Sequence, residues 1–102
     1  MTNLRIDWDK LRVFKAVAEI GSMTSAAARL KESPPTVSRK IDELEEFLNS
    51  KLFTRSTRGV ELTETGKVVL RYAQLMEDAA NEVLSQAIGK SSGLEGRIRI
   101  GT

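Results

Sequence analysis

The two prolines of this chain are adjacent, and they restrict its fold more than any other feature of the sequence. Pro34 and Pro35 follow Ser33, whose hydroxyl can cap a helix. Proline is tolerated in the first turn of a helix but disrupts its interior. The sequence therefore predicts that a helix begins after Ser33, and that it is separate from any helix that precedes residue 31.

The helix after the prolines is expected to run to about Leu48. Its apolar residues recur at steps of three and four, which places them on one face. They are Val37, Ile41, Leu44 and Leu48. The second half also carries four acids, Asp42, Glu43, Glu45 and Glu46, which phosphates would repel. One face is expected to pack against the domain, and only the first two turns of the other are expected to meet an anionic partner.

Two shorter helices are predicted before the prolines. The first covers residues 7–20, with Asp7 as its cap and Gly21 just past its end. Its apolar residues recur at helical spacing, and they are Leu11, Phe14, Val17 and Ala18. The second is a short helix over residues 22–30, capped by Ser22. Three consecutive helices are thus expected in the first half of the chain.

A hairpin and a long helix are predicted in the second half. Strands are expected from Lys51 to Arg55 and from Val60 to Leu62, joined by a turn over 56–59 with two hydroxyls and a glycine. Thr63 can then cap a helix that continues to Ala87 or Ile88, with the glycines and serines of 89–93 ending it. The fold class expected is mainly α: three helices, a two-stranded wing and a long final helix.

The long final helix carries an apolar seam with heptad spacing. Its members are Val69, Ala73, Met76, Ala80, Val83 and Ala87, and we expect them to form a dimer interface. A second stripe lies beside this seam, and it consists of Val68, Tyr72, Leu75 and Ala79. One stripe could cover the domain while the other pairs with a second copy. The alternative is that the seam is intramolecular core.

The spacing of small and branched residues around the turn indicates a helix-turn-helix. Ala27, Leu30 and Val37 are separated by three and seven residues, a pattern that locks two helices at a steep angle. The outward start of the later helix could then enter a major groove, and the hairpin could act as a wing. Candidate DNA-binding residues are Ser33, Pro35, Thr36, Ser38, Arg39 and Lys40 on the helix, and Arg55 and Arg58 on the wing.

The sequence also resembles a known family, the LysR-type transcriptional regulators, in their amino-terminal domain. The resemblance rests on the order and spacing of several motifs, which are Leu11 to Phe14, Gly21-Ser22-Met23-Thr24 with Ala26-Ala27, Pro35, Ser38-Arg39, Ile41, Leu44-Glu45, Leu52-Phe53, Arg55 and Leu62-Thr63-Glu64-Thr65-Gly66. It implies a winged helix-turn-helix, a homodimer through the linker helix, tetramers in the full-length protein, and binding to interrupted inverted repeats. Pro34 and Glu32 depart from the family pattern, in which a glutamine and an apolar residue are common.

The resemblance also suggests how the chain is divided. Residues 1–62 are expected to form the DNA-binding domain, 63–89 the linker and dimerisation helix, and 90–102 a hinge. The run 96–101 looks like the start of an effector-binding domain that is absent here, so the chain looks truncated. A small-molecule effector is expected only in that domain, and no cofactor is expected in this fragment.

Composition argues against an enzyme. The chain has no cysteine and no histidine, which removes the thiolate nucleophile and the commonest acid-base residue and metal ligand. We expect no catalytic or metal site, and no Gly-rich phosphate loop is present. The net charge of +2 permits a nucleic-acid partner without requiring one. A protein-interaction module that has lost DNA binding therefore remains an alternative.

The sequence lacks the apolar runs of a membrane protein. The first nine residues do not resemble a signal peptide, and the longest apolar stretches are too short to span a bilayer. We therefore expect a cytoplasmic protein with no membrane partner.

Overall fold

The computed structural model describes residues 5–93, with side chains described through residue 89. Helix α1 spans Trp8–Ile20, α2 spans Met23–Leu30 and α3 spans Pro34–Leu48. Strands β1, Phe53–Ser56, and β2, Gly59–Leu62, follow, and α4, Glu64–Gly93, is the last element. The mainly helical fold with a two-stranded wing is confirmed.

The caps of the first three helices are those predicted from the sequence. Each capping side chain accepts a hydrogen bond from a free backbone N–H in the first turn of its helix. The Asp7 carboxylate accepts the N–H of Asp9, the Ser22 hydroxyl accepts the N–H of Ser25, and the Ser33 hydroxyl accepts the N–H of Thr36. Gly21 closes α1 in the left-handed conformation, with φ of +85°. The three helices therefore begin and end where their capping residues place them.

The hydrophobic core lies between α1, α2 and α3. Most of the residues predicted to pack are fully buried, with Val13 as an additional member; the core includes Leu11, Val13, Phe14, Val17, Ala26, Ala27, Val37, Ile41, Leu44 and Leu52. The rings of Phe14 and Phe53 lie 5.1 Å apart and tilted, an arrangement that aromatic pairs favour. This contact joins the first residue of the wing to α1.

The wing is a tighter hairpin than the sequence suggested. Phe53 pairs with Leu62 and Ser56 with Gly59, so only Thr57 and Arg58 form the turn. The predicted start of the first strand at Lys51 is wrong. The backbone amide of Leu52 donates to the side chain of Glu45 and its carbonyl accepts from Thr63, so residue 52 is held by α3 and the start of α4.

Helix α4 begins at the predicted cap but is longer than predicted. The Thr63 hydroxyl accepts the backbone N–H of Gly66 at 2.9 Å, and the helix then runs through Gly89 to Gly93. The predicted end before Gly89 is wrong because one glycine weakens a helix without necessarily ending it. Of the predicted hinge at 90–102, residues 90–93 instead belong to α4, and residues 94–102, including the strand entry at 96–101, lie outside the described residues.

The first half of α4 is fastened to α1. Ala73 is fully buried, and Val69 and Leu70 pack on the same core. The Lys15 ammonium contacts the carboxylate of Glu77 at 2.7 Å, and the Gln74 amide donates to Glu19 at 2.9 Å. Apolar contacts and two polar links thus fix the direction in which α4 leaves the domain.

Candidate nucleic-acid interface

The start of α3 presents the predicted groove-reading residues. Pro35 and Arg39 are exposed, whereas Thr36 and Ser38 are partly buried. The Ser33 hydroxyl accepts the backbone N–H of Thr36 at 3.3 Å and donates to its Oγ1 at 2.8 Å. Ser33 therefore serves first as a cap, which orders the turn that these side chains share.

Arg39 is held along the helix by an acid one turn further on. Its guanidinium lies 3.2 Å from the Glu43 carboxylate, and the side chain is 58% exposed. Lys10 of α1 also contacts Glu43 at 3.2 Å. The hydrogen bonds from Lys10 and Arg39 hold the pKa of the Glu43 carboxyl below its ordinary value. One predicted repulsive acid is thus paired with two cations.

The wing arginine Arg55 reaches back over α3. Its guanidinium lies 3.2 Å from the carboxylate of Asp42 and 3.5 Å from the hydroxyl of Ser38. Ser38 and Asp42 are one turn apart on α3, so the structure brings Ser38 and Arg55, predicted separately, to one place. Asp42, which the sequence placed only among the repelling acids, forms the ion pair that joins them.

Arg58 occupies the tip of the wing. It is exposed, and its backbone amide donates to the Ser56 hydroxyl at 3.2 Å, which orders the two-residue turn. Gly59 follows with φ of +120°, a conformation that favours glycine. The tip therefore presents a cationic side chain on a turn with a fixed backbone.

Glu45 lies on the buried face of α3, unlike the other acids in the second half of this helix. Its Oε2 accepts the backbone N–H groups of Leu52 and Phe53 at 2.7 and 3.2 Å. The signal was present in the sequence, because residue 45 falls on the same helical side as Ile41 and Leu48. A buried carboxylate that accepts two amides fixes the base of the wing to α3.

Lys40 is the predicted DNA-binding residue that the structure does not place with the others. Its ammonium lies 2.8 Å from Asp9 and 3.1 Å from Glu32, and its side chain is 17% exposed. The hydrogen bonds that Lys40 donates to these two acids raise the pKa of Lys40, and the one to Asp9 lowers the pKa of Asp9. A direct phosphate contact would require this lysine to leave both carboxylates.

The contact with Lys40 explains how the fold accommodates Glu32, one of the two departures from the family pattern. One Glu32 oxygen contacts Lys40, and the other is buried with no hydrogen-bond partner among the described residues. The acid is therefore turned inward toward a lysine. The repulsion expected from an acid at this turn is largely offset by Lys40.

The predicted dimer seam divides into two parts in the structure. Ala73 is fully buried in its own chain, which leaves it no surface for a partner, whereas Val69 is only partly buried there. The remaining seam residues are exposed, and they are Met76, Ala80, Val83 and Ala87. The neighbouring stripe is also exposed, and its members Val68, Tyr72 and Leu75 are each more than half exposed. The core thus covers the first part of the seam, at Val69 and Ala73, and leaves the later part uncovered.

Two other kinds of feature, a metal site and a membrane-spanning helix, are absent from the described residues. Among residues 5–93, no cluster of acidic side chains is arranged to hold a metal ion. In the same part of the chain, no helix is both long enough and apolar enough to cross a membrane.

A family model matches most of the chain. The model described as "Bacterial regulatory helix-turn-helix protein, lysR family" matches residues 8–67, which run from the start of α1 into α4. A probable RuBisCO transcriptional regulator of Cyanidioschyzon merolae is 47% identical over 73 residues, which are 72% of this chain and 24% of that protein. The transcriptional regulator XapR of Escherichia coli is 41% identical over 97 residues, 95% of this chain and 33% of that protein. The chain thus spans about a quarter to a third of these relatives.

Solved structures agree in fold. The DNA-binding domain of BenM, in a complex with catB site 1 DNA, has a TM-score of 0.81 and 34% identity, covering 84% of this chain and 97% of that one. The corresponding CbnR domain, also in a DNA complex, has a TM-score of 0.77 and 35% identity, covering 83% of this chain and 98% of that one. Both matches cover nearly the whole of a domain that was solved with DNA.

Proposed function

We propose that this chain, which belongs to the LysR family of bacterial regulatory helix-turn-helix proteins, is the sequence-specific DNA-binding part of a transcription regulator. The observation that carries the proposal is the juxtaposition of the α3 start with the wing. Ser38 and Arg39 lie on the outer side of α3, and Arg55 of the wing lies within 3.5 Å of the Ser38 hydroxyl. A major groove about 12 Å wide admits a helix, while the wing lies over the adjacent backbone and minor groove.

The roles of the residues follow from their chemistry. Arg39 can form paired hydrogen bonds to a guanine edge, Ser38 and Thr36 can meet base edges or phosphates, and Pro35 offers apolar contact to a thymine methyl. Arg58 at the wing tip is suited to a narrow minor groove, where A·T-rich sequences concentrate negative potential. Ser33 contributes by capping the helix that carries these groups. Lys40 supports the domain through Asp9 and Glu32.

We further propose that the protein binds as a homodimer through α4. The helix has 30 residues, a length of about 45 Å at 1.5 Å per residue, and it carries an uncovered apolar stripe. Two copies would place two recognition helices on successive major grooves, about 34 Å apart, which suits an interrupted inverted repeat. In the full-length protein, we expect tetramers and a small-molecule effector bound outside this segment.

The alternative of a protein-interaction module rested on the acidic second half of α3. In the structure Asp42 and Glu43 are paired with arginine or lysine, and Glu45 is buried. The repulsion that these acids would exert on phosphates is thus reduced, which favours DNA. We also propose that the chain has no catalytic activity, since its relatives are named as regulators, and that it acts in the cytoplasm, where bacterial DNA lies.

The testing experiment is a fluorescence-anisotropy titration against a pool of random duplexes, followed by selection and sequencing at moderate salt. Recovery of an interrupted inverted repeat would support a dimeric operator reader. Salt-sensitive binding without an enriched motif would contradict sequence specificity in this segment. No binding to any duplex would contradict the DNA-binding function and favour the interaction module.

A further inference from the structure

On the proposed DNA-binding surface, Asp42 of α3 forms an ion pair with Arg55 of the wing. The Asp42 carboxylate lies 3.2 Å from the guanidinium of Arg55, and the two residues are 13 positions apart in sequence, on α3 and β1. Their side chains are 60% and 48% exposed, so the pair is formed at the surface and not within the core. The fold itself does not require the pair, because Glu45 already joins the base of the wing to α3.

In the proposed binding mode, the pair lies on the surface that faces DNA. Asp42 is one turn beyond Ser38 on the outer side of α3, and the Arg55 guanidinium contacts both residues. A carboxylate at this position repels phosphates, and it competes with them for the same guanidinium. Glu43 does not offer an equivalent competition, since it is held by Lys10 of α1 as well as by Arg39.

We propose that Asp42 competes with DNA phosphates for Arg55 and thereby weakens the binding of duplex DNA. The attraction of a phosphate for the Arg55 guanidinium replaces an ion pair that the free protein already makes, so Arg55 adds little net affinity. This exchange has the same cost on random and on specific duplexes. Asp42 therefore limits the affinity that the wing contributes to any DNA.

The inference rests on the proposed DNA-binding function and is tested on random-sequence duplex by the salt dependence of binding. Asp42→Asn keeps the side-chain shape but removes the charge that restrains Arg55. We expect it to bind random duplex about two- to fivefold more tightly, the range of an exposed ion pair. The slope of log K against log salt should steepen by about 0.9 per protomer, as one more phosphate is neutralised.

A double-mutant cycle separates release of Arg55 from general repulsion. In an Arg55→Ala background, Asp42→Asn should give a smaller gain and no steeper slope. Glu46→Gln, which removes the same charge from an exposed position one turn further along α3, is the matched control and should leave the slope unchanged. On the selected specific site, Asp42→Asn should raise affinity at least as much as on random duplex, because Arg55 no longer has to leave an ion pair there either.

The outcomes are distinguishable. If the wild-type protein binds DNA and Asp42→Asn binds random duplex no more tightly, the inference is overturned. A gain that persists undiminished without Arg55 also overturns it, because Asp42 would then act through repulsion alone. If neither protein binds any duplex, the proposed function itself fails.

Discussion

The carboxylate of Glu45 accepts the backbone N–H of Leu52 at 2.7 Å, and Glu45 is only 7% exposed. The same oxygen accepts the N–H of Phe53 at 3.2 Å, and the other lies 3.6 Å from the exposed ammonium of Lys51. A charged acceptor shared by two buried amides stabilises the connection between α3 and the wing. The wing is thus positioned from its base, not by its tip.

The first prediction is that Glu45→Ala lowers the free energy of unfolding by about 2 to 4 kcal/mol, since two buried amides lose their acceptor. Glu45→Gln keeps one acceptor oxygen and should lose less. Urea unfolding measures both, and Glu46→Ala on the exposed face controls for helix propensity. Equal losses for residues 45 and 46 would contradict this role.

A second prediction concerns the two glycines of α4. A Cβ at Gly66 would overlap the carbonyl oxygen of Leu52 and lie 2.9 Å from Leu62 Cδ2, whereas one at Gly89 meets nothing within 4 Å among the described residues. Gly66→Ala should therefore destabilise the domain by about 1 to 3 kcal/mol, because that carbonyl also accepts from Thr63.

The matched control is Gly89→Ala, which should be neutral or stabilise α4 by up to about 1 kcal/mol. Thermal unfolding followed by helix ellipticity compares the two proteins. A Gly66→Ala protein as stable as the wild type would show that the approach of the Leu52 backbone to α4 is not tight.

Local signals in the sequence were sufficient to predict the helices. Asp7, Ser22 and Ser33 cap the predicted helices because each cap depends on residues two or three positions away. The Asp42–Arg55 pair and the hydrogen bonds that Glu45 accepts from Leu52 and Phe53 depend on how the wing folds back onto α3, which local patterns do not encode. The dimer seam has the same limit, since periodicity shows that α4 has apolar stripes but not which stripe the core covers.

A third prediction concerns pH. The pKa of Asp9 is lowered chiefly by the hydrogen bond from Lys40, and that of Glu19 chiefly by the one from Gln74. A carboxyl group whose pKa is lowered by folding stabilises the fold at pH values above its pKa in the unfolded chain. This stability is lost as the pH falls through its pKa in the folded protein. The raised pKa values of Lys15 and Lys40 have the opposite sign, with stability lost above about pH 10.5.

We therefore expect stability to fall below about pH 4 and again at high pH. Lys40→Met should destabilise the protein near neutral pH but make the acid decline shallower, because Asp9 then loses the partner that lowers its pKa. Urea unfolding across pH gives the profile. Lys67→Met removes the same charge from an exposed pair with Glu64 and serves as the control. An unchanged acid slope in Lys40→Met would refute the assignment.

The fourth prediction tests the groove-reading role of Arg39. Arg39→Ala should weaken binding to a selected specific site by about 1 to 3 kcal/mol and relax base preference at one position, while the fold is retained. Arg39 forms an ion pair with Glu43 on the same helix, a class of contact worth little to stability. Arg12→Ala, which breaks a comparable pair with Asp9 on α1, is the matched control. Unchanged specific affinity at matched salt would exclude Arg39 from base reading.

The last prediction tests which face of α4 pairs. Val68, Tyr72 and Leu75 follow helical spacing and are 56%, 53% and 51% exposed, so they form a stripe that the domain itself leaves uncovered. Leu75→Glu should raise the dimer dissociation constant at least a hundredfold, because two leucines lose burial worth about 1.5 kcal/mol each. Sedimentation velocity over a range of concentrations measures this, with helix ellipticity to show that the fold persists.

Ser85→Glu introduces the same acid on another exposed side of α4 and should leave the dimer intact. If Ser85→Glu dissociates the dimer and Leu75→Glu does not, the pairing face is not the Val68–Tyr72–Leu75 stripe. A monomeric Leu75→Glu protein should still bind single half-sites through α3 and the wing, but it should lose the added affinity for an inverted repeat, since that gain requires two linked recognition helices.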